Sequence, residues 1–440
     1  MRSAARRPKS LPQVDDMIAS SAARRGSGEL TYGTNGIIPP AAERPGGPMI
    51  APPACATLPW HRLSTLQLGM GWFPEQPGGL NRVFHNLLCH LPEIGVAVRG
   101  SVVGSDRVGE ASANRALAFA PPTASLPYRL WAARRALGQA LREEQPDLVA
   151  SHFALFTWPI LDLIRPYPLV VHFHGPWSAE TTAEGAGELK RRAGRMIERA
   201  VYRRATRLIT LSRAFAEVLQ RSYRIPEERV RVIPGGVDAR RFAISHSPQR
   251  ARAELALPND RPIIVTVRRL ARRMGLEDLL AAIALIRSHV PEVLLVIAGR
   301  GPLAAALQAR TSELGLQANV RLLGFVSDES LPPLYRAATV SVVPTATLEG
   351  FGLVTIESLA AGTPVLVTPV GGLPEVVSDL APELVLPGTS PPALAEGLLA
   401  ALSGRLPLPS AKACQDYVRA RFDWPVIAAR VRDVYLEALA

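Results

Sequence analysis

The chain has 440 residues, 48% hydrophobic and 20% charged, which allows two or three ordinary cores and excludes wholesale disorder. Its formal net charge is +12, and its lysines are Lys9, Lys190 and Lys412, so the positive charge is almost all arginine and suits phosphate or anionic surfaces. Aromatic residues make up 6% and are not interleaved with the arginines, which argues against nucleic acid, and Cys55, Cys89 and Cys414 lie too far apart for a disulfide framework or a paired-cysteine zinc site.

Residues 1–55 are rich in Pro, Gly, Ser, Ala and Arg and show neither period. They read as a disordered tail, or as a misassigned start with Met49 the true initiator. "LSTLQLG" (63–69) then predicts a strand, followed by a turn at Gly78 and Gly79 and a helix that turns Val83, Leu87, Leu88 and Leu91 to one side. "VAVRGSVVG", "PDLVASHF" and "YPLVVHFHG" predict three further strands with helices between. The stretch 187–208 predicts a helix with Leu189, Met196, Ile197, Ala200 and Val201 on its apolar side. Arg191, Arg195, Arg199 and Arg203 form a basic stripe on another side. "LITLS" and "RVRVIPGGVD" close this half.

Residues 243–261, with proline and charge but little apolar content, predict a linker. The alternation restarts with "IIVTVRRL", "VLLVIAG", "VRLLGF", "VSVVPT" and "PVLVTPVGG" as strands and helices between them. Strands apolar throughout, alternating with helices, mean parallel sheets covered on both faces. Two such runs mean two doubly wound α/β domains, at 56–242 and 262–418. The last residues, 419–440, form a helix that ends the chain.

In "TLEGFGLVTIESLAAGTP" (347–364), Glu349 precedes a helix that opens near Gly352, and Glu357 lies more than a turn inside it. The loop follows a strand end, where open α/β sheets bind ligands. The amides of Gly350, Phe351, Gly352 and Leu353 are the unpaired donors of a helix start, which attract phosphate. Two carboxylates at different depths, with a phosphate site between, suit a nucleotide sugar, whose vicinal hydroxyls pair well with carboxylates.

This segment resembles the paired-glutamate signature of the retaining family 4 glycosyltransferases of GT-B fold. The resemblance runs over nearly all of 60–440, through "GGLNRVFHNLL", "VVHFHG", "VIPGGVDARRF", "VTVRRLARRMGLEDLL", "VIAGRGP" and "GFVSDESLPPLYRAA" in that order. It implies that Glu357 holds the ribose, Glu349 approaches the donor sugar beside the Gly350–Leu353 amides, and Arg269 binds the diphosphate. It also implies that Gly79 faces the donor across the cleft, that His174 contacts the sugar near the reacting carbon, and that the C-terminal helix returns to the N-terminal domain. Two departures stand out. Gly235 replaces the usual asparagine, and Met274 stands where the family has lysine, so Arg273 is expected to supply the missing charge.

No Asp-x-Asp occurs, so arginines and a helix N-terminus are expected to replace a metal ion, with no cofactor beyond the nucleotide-sugar substrate. The expected acceptor is a glycan or lipid-linked hydroxyl. The expected location is the cytoplasm, with the basic helix 187–208 resting on an anionic membrane surface. The alternative is a non-catalytic nucleotide-sugar-binding protein of the same fold. A dinucleotide dehydrogenase lacks its Gly-x-Gly-x-x-Gly after the first strand, and a phosphorylase lacks its lysine at a strand end of the second domain. His152 reads as a satisfied histidine at the cleft edge or an acceptor contact, His172 as buried, and Trp177 as core or acceptor platform.

Overall fold

The computed structural model describes residues 63–179 and 187–440, so the expected tail at 1–55 lies outside the described residues. The first sheet contains β1 (Ser64–Gly71), β2 (Ala97–Val103), β3 (Ala116–Ala120), β4 (Leu148–Ser151), β5 (Leu169–Phe173), β6 (Arg207–Thr210) and β7 (Val230–Val232). All neighbours are parallel, in the order β3-β2-β1-β4-β5-β6-β7. Every residue of β4 and β5 is buried, because helices cover both faces, and this is why these strands read as unbroken apolar runs.

The second sheet contains β8 (Ile263–Val267), β9 (Leu294–Ala298), β10 (Val320–Gly324), β11 (Val340–Val343) and β12 (Val365–Val367). It too is parallel, in the order β10-β9-β8-β11-β12. In each sheet strand addition reverses beside the first strand, between β1 and β4 and between β8 and β11. The loops diverge there and leave a crevice at the carboxyl ends of the strands.

The chain crosses between the domains twice at one place. Val237 N donates to Phe422 O at 2.9 Å, and Asp423 Oδ1 accepts from Ala239 N at 3.1 Å. Beyond this crossing the helix Trp424–Leu439 returns to the first domain. Its Ile427, Val431, Val434 and Tyr435 share a buried cluster with Val83, Leu87, Leu148 and Val170.

Two expectations are corrected. Residues 243–261 are not a bare linker: they hold the helix Pro248–Glu254, capped by Ser247, whose side chain accepts from Arg250 N. Ala251 and Leu257 join the second core together with Val237, Ala239 and Phe242, so that domain begins at the crossing. The few apolar residues of the segment suffice because Arg252 ties it down through the carbonyls of Ala337, Asn259 and Arg261.

The second correction concerns the basic helix, Glu188–Arg204. Leu189 and Met196 are 81% and 74% exposed, whereas Gly194, Glu198, Val201 and Tyr202 are buried. The helix is rolled so that Glu198 turns inward, accepting from Ser178 Oγ at 2.5 Å and Tyr223 Oη at 2.8 Å. Desolvation raises its pKa, and these hydrogen bonds only partly oppose that. Apolar periodicity could not anticipate a buried face centred on a satisfied carboxyl group.

Candidate active site

The loop between β11 and the helix Leu353–Ala360 carries Glu349. It is held from both sides. Arg273 O accepts from Ala346 N at 2.9 Å, Arg273 Nη1 donates to Leu348 O at 2.9 Å, and Gly372 N donates to Glu349 O at 3.0 Å. Gly275 and Gly371, at φ +70° and +56°, make this clamp possible. A Cβ would lie 1.8 Å from Pro344 O at the first and 1.9 Å from Glu349 O at the second.

Glu349 Oε2 accepts from Arg268 Nη2 at 2.5 Å and from Thr345 Oγ1 at 3.3 Å. Arg268 leaves the carboxyl end of β8 and is buried. Burial by itself would raise the pKa of Glu349. The charge and hydrogen bond of Arg268, with the field of Arg273, outweigh it and hold the group below the usual carboxylate range. Glu357 is the opposite case. Burial pushes its pKa up, and the charge of Arg82 and the Tyr335 hydroxyl, donating at 3.1 Å, offset this only in part. The two glutamates therefore differ in kind, one an ion-paired carboxylate and the other a buried carboxyl at greater depth. Among the described residues, no backbone carbonyl is paired with the amides of Gly350, Phe351, Gly352 or Leu353.

The first domain closes the other side. A Cβ on Gly79 would stand 3.6 Å from Leu353 Cδ1, and one on Gly350 would stand 2.5 Å from the Phe215 ring. At Gly235, where the resembling sequences usually carry asparagine, a Cβ would lie 2.5 Å from Leu353 Cδ2, so Leu353 occupies the space of a side chain. Arg82 makes a two-pronged pair with Asp328 across the gap, at 2.8 and 3.0 Å, and lies over the Phe73 ring. Glu375 accepts from Arg213 N and Ala214 N at 2.8 and 2.9 Å, capping a helix of the opposite domain.

His174 follows β5 and is hydrogen-bonded through Nε2 to His152 Nδ1 at 3.2 Å. His152 Nε2 meets Gln67 Oε1 at 3.2 Å, and His172 Nε2 meets Tyr435 Oη at 2.8 Å. Burial depresses all three imidazoles, His152 and His172 well below the ordinary value and His174 to about 4. His152 is thus a satisfied histidine, and His172 is buried as expected. Trp177 packs edge-on against Phe153 at 5.5 Å and is partly exposed.

Glu349, the 350–353 amides, Glu357, Arg273 and Gly79 therefore gather at one inter-domain gap. The Phe351 ring is buried toward the crossing, 5.8 Å from that of Phe422. Arg269 is exposed, one residue beyond the arginine that engages Glu349. Sequence reasoning does not reach Arg268, Thr345, Tyr335, Arg82 or Asp328. For Arg268 a signal exists: Met274 leaves a buried carboxylate loop without its cation, and a strand-end arginine two residues before Leu270 is close at hand in sequence.

Two doubly wound domains with a glutamate loop opening on the gap between them make this a GT-B protein. Sucrose-phosphate synthase from Thermosynechococcus elongatus superposes with a TM-score of 0.70 and 25% identity, over 86% of this chain and 99% of that one. HepE from Anabaena, solved with UDP, superposes with a TM-score of 0.68 and 20% identity, over 85% and 99%. Residues 77–241 match Glycosyltransferase Family 4, and residues 248–421 match Glycosyl transferases group 1. A D-inositol 3-phosphate glycosyltransferase of Streptomyces avermitilis is 33% identical over 335 residues, 71% of each chain. The chain belongs to the family 4 glycosyltransferases, and it is an enzyme of glycosyl transfer.

Proposed function

We propose that the donor is a nucleotide-diphosphate sugar and that transfer proceeds with retention at the anomeric carbon, without a metal ion. The observation that carries this reading is the convergence of an ionised Glu349, arginine charge and unpaired helix-start amides on one gap. The amides and guanidinium groups receive the diphosphate, and Glu357 with Tyr335 receives the ribose. Glu349 accepts from the hydroxyls of the donor sugar.

As the bond between the anomeric carbon and the diphosphate oxygen breaks, its electron pair stays on the diphosphate. Positive charge grows on the sugar ring. The acceptor oxygen forms its bond on the same face, and its proton passes to the departing phosphate oxygen. Glu349 is tied to Arg268 and Thr345, which suits it to hold hydroxyls rather than to act as a covalent nucleophile. His174, neutral at pH 7, sits at the cleft end of β5 as a hydrogen-bonding partner for the sugar.

Structural neighbours solved with UDP-glucose or ADP support the donor class, and relatives named for D-inositol 3-phosphate are compatible with an anionic polar acceptor. The acceptor we favour is a glycan or lipid-linked hydroxyl, presented at an anionic membrane that the exposed basic helix touches from the cytoplasmic side. No helix among the described residues is long and apolar enough to cross a membrane. A thermal-shift panel of UDP, GDP, ADP and dTDP tests the donor reading: one nucleotide should raise the melting temperature in step with its concentration over its dissociation constant. No stabilisation by any of the four at millimolar concentration would overturn it.

A further inference from the structure

Arg268 is 8% exposed, and its Nε is buried without a partner. Its Nη2 carries two hydrogens but faces three neighbours: Glu349 Oε2 at 2.5 Å, Thr345 Oγ1 at 2.6 Å and Met274 Sδ at 2.8 Å. A thioether is a weak acceptor, so the third contact is one of position rather than of bonding. It shows that the guanidinium has come to the end of the Met274 side chain. Residue 274 is the place, just before Gly275, where the resembling sequences carry lysine. The neutral residue and the cation touch, so a charge absent at 274 is present in the same spot from 268.

The other arginines of this loop do not fill that place. Arg273 donates its Nη1 to the Leu348 carbonyl and braces the loop, and Arg269 is exposed beyond the strand end. Arg268 stands at the carboxyl end of β8, beside the switch point with β11, which is where the fold directs an anionic ligand.

We propose that Arg268 is the principal cation for the donor diphosphate, and that the contacting pair Arg268 and Met274 performs the task of a single lysine at 274. This rests on the donor class proposed above. In the ligand-free state Glu349 neutralises the guanidinium through Nη2, Nε is enclosed, and the Nη1 group, which makes no hydrogen bond among the described residues, is the donor left for an incoming phosphate oxygen. A guanidinium held on one side by a carboxylate and a threonine has a fixed plane, which a lysine ammonium lacks. The site thereby distinguishes a diphosphate from a monophosphate by geometry as well as by charge.

The test is titration calorimetry with the nucleoside diphosphate that stabilises the wild type most, and with its monophosphate. Arg268→Gln, which still offers a hydrogen bond to Glu349, should weaken the diphosphate by about tenfold or more and the monophosphate by less than about threefold. The swap variant R268Q/M274K should recover diphosphate binding to within about threefold of wild type. Wild-type diphosphate affinity in R268Q overturns the proposal. So does a folded swap variant that binds only the monophosphate. Failure of the wild type to bind any nucleotide would instead remove the donor reading itself. If R268Q does not fold, the swap variant alone decides the matter in the same two directions.

Discussion

Tyr435, on the last helix of the chain, is hydrogen-bonded at 2.8 Å to His172 on β5 of the first domain's sheet. Its hydroxyl also lies 3.2 Å from Gln67 Nε2, which can only donate. The hydroxyl therefore accepts from Gln67 Nε2, and its own hydrogen is shared between His172 Nε2 at 2.8 Å and Gln67 Oε1 at 3.4 Å. Gln67 Oε1 in turn accepts from His152 Nε2, which leaves His152 Nδ1 to accept from His174 Nε2. With every ring neutral, giving the hydrogen between His152 and Gln67 to His152 Nε2 satisfies the chain and leaves His174 Nδ1 as a lone pair.

Tyr435→Phe removes the hydroxyl that Gln67 and His172 share. Both keep their burial and lose a partner, so the variant should unfold with a free energy lower by about 1–3 kcal/mol. Chemical denaturation followed by circular dichroism measures this. A variant as stable as the wild type would mean that the network adds nothing.

The histidine cluster also sets a pH dependence. Depressed folded-state pKa values mean that the unfolded chain takes up protons first as pH falls. Stability from these rings is full above about 6.5, the unfolded value, and declines from there toward the folded value, about 4 for His174. Glu198 and Glu357, raised by burial, act in the opposite sense over part of that window, so the wild-type curve mixes the two. Comparison with His174→Gln isolates the ring. The gap between the two stabilities should shift by up to about 3 kcal/mol between pH 7 and pH 4. A gap independent of pH would refute it.

Much of this is readable from residues. Apolar strands such as "VLLVIAG" can lie only inside a covered parallel sheet, and glycines 275 and 371 mark the backbone approaches that aim Glu349. What cannot be read depends on which side of a helix or strand end meets a distant partner. Nothing in the sequence around Glu198 marks it as buried, because its partners, Ser178 and Tyr223, are 20 and 25 residues away. Arg268 and Arg269 are neighbours of equal charge, and contact with Thr345 and Glu349 alone separates them.

The two glutamates should fail differently. Glu349→Gln keeps a hydrogen-bonding amide beside Arg268 but loses the carboxylate, and turnover should fall by about a hundredfold or more with donor affinity changed far less. Glu357→Gln retains the contact with Tyr335 and should mainly raise the donor KM. Steady-state kinetics over a range of donor concentrations separate the two outcomes, and the same pattern in both variants would remove the division of roles.

Activity should be unaffected by chelation. On the proposed reading, the positive field that meets the diphosphate at the gap comes from guanidinium groups and helix-start amides. The rate in excess EDTA should equal the rate with added magnesium. A loss of activity restored by magnesium or manganese would show that a cation enters with the donor.

The exposed side of the helix Glu188–Arg204 offers the last expectation. Leu189 and Met196 lie on it with Arg192, Arg199 and Arg203, all exposed, while Arg191 is half-buried. Glu188 pairs with Arg191 and Arg192 at 2.7 and 2.9 Å, which leaves the face with a surplus of positive charge. Two apolar side chains among exposed cations suit the headgroup region of an anionic bilayer, where each basic residue adds about 1 kcal/mol of attraction. The protein should sediment with vesicles containing phosphatidylserine and remain in solution with neutral ones, and roughly 0.5 M salt should release it by screening. R192E/R199E should abolish sedimentation while leaving nucleotide binding intact, since neither residue is among those that gather at the gap between the domains. Equal sedimentation of the charge-reversed protein would place the membrane contact elsewhere, or nowhere.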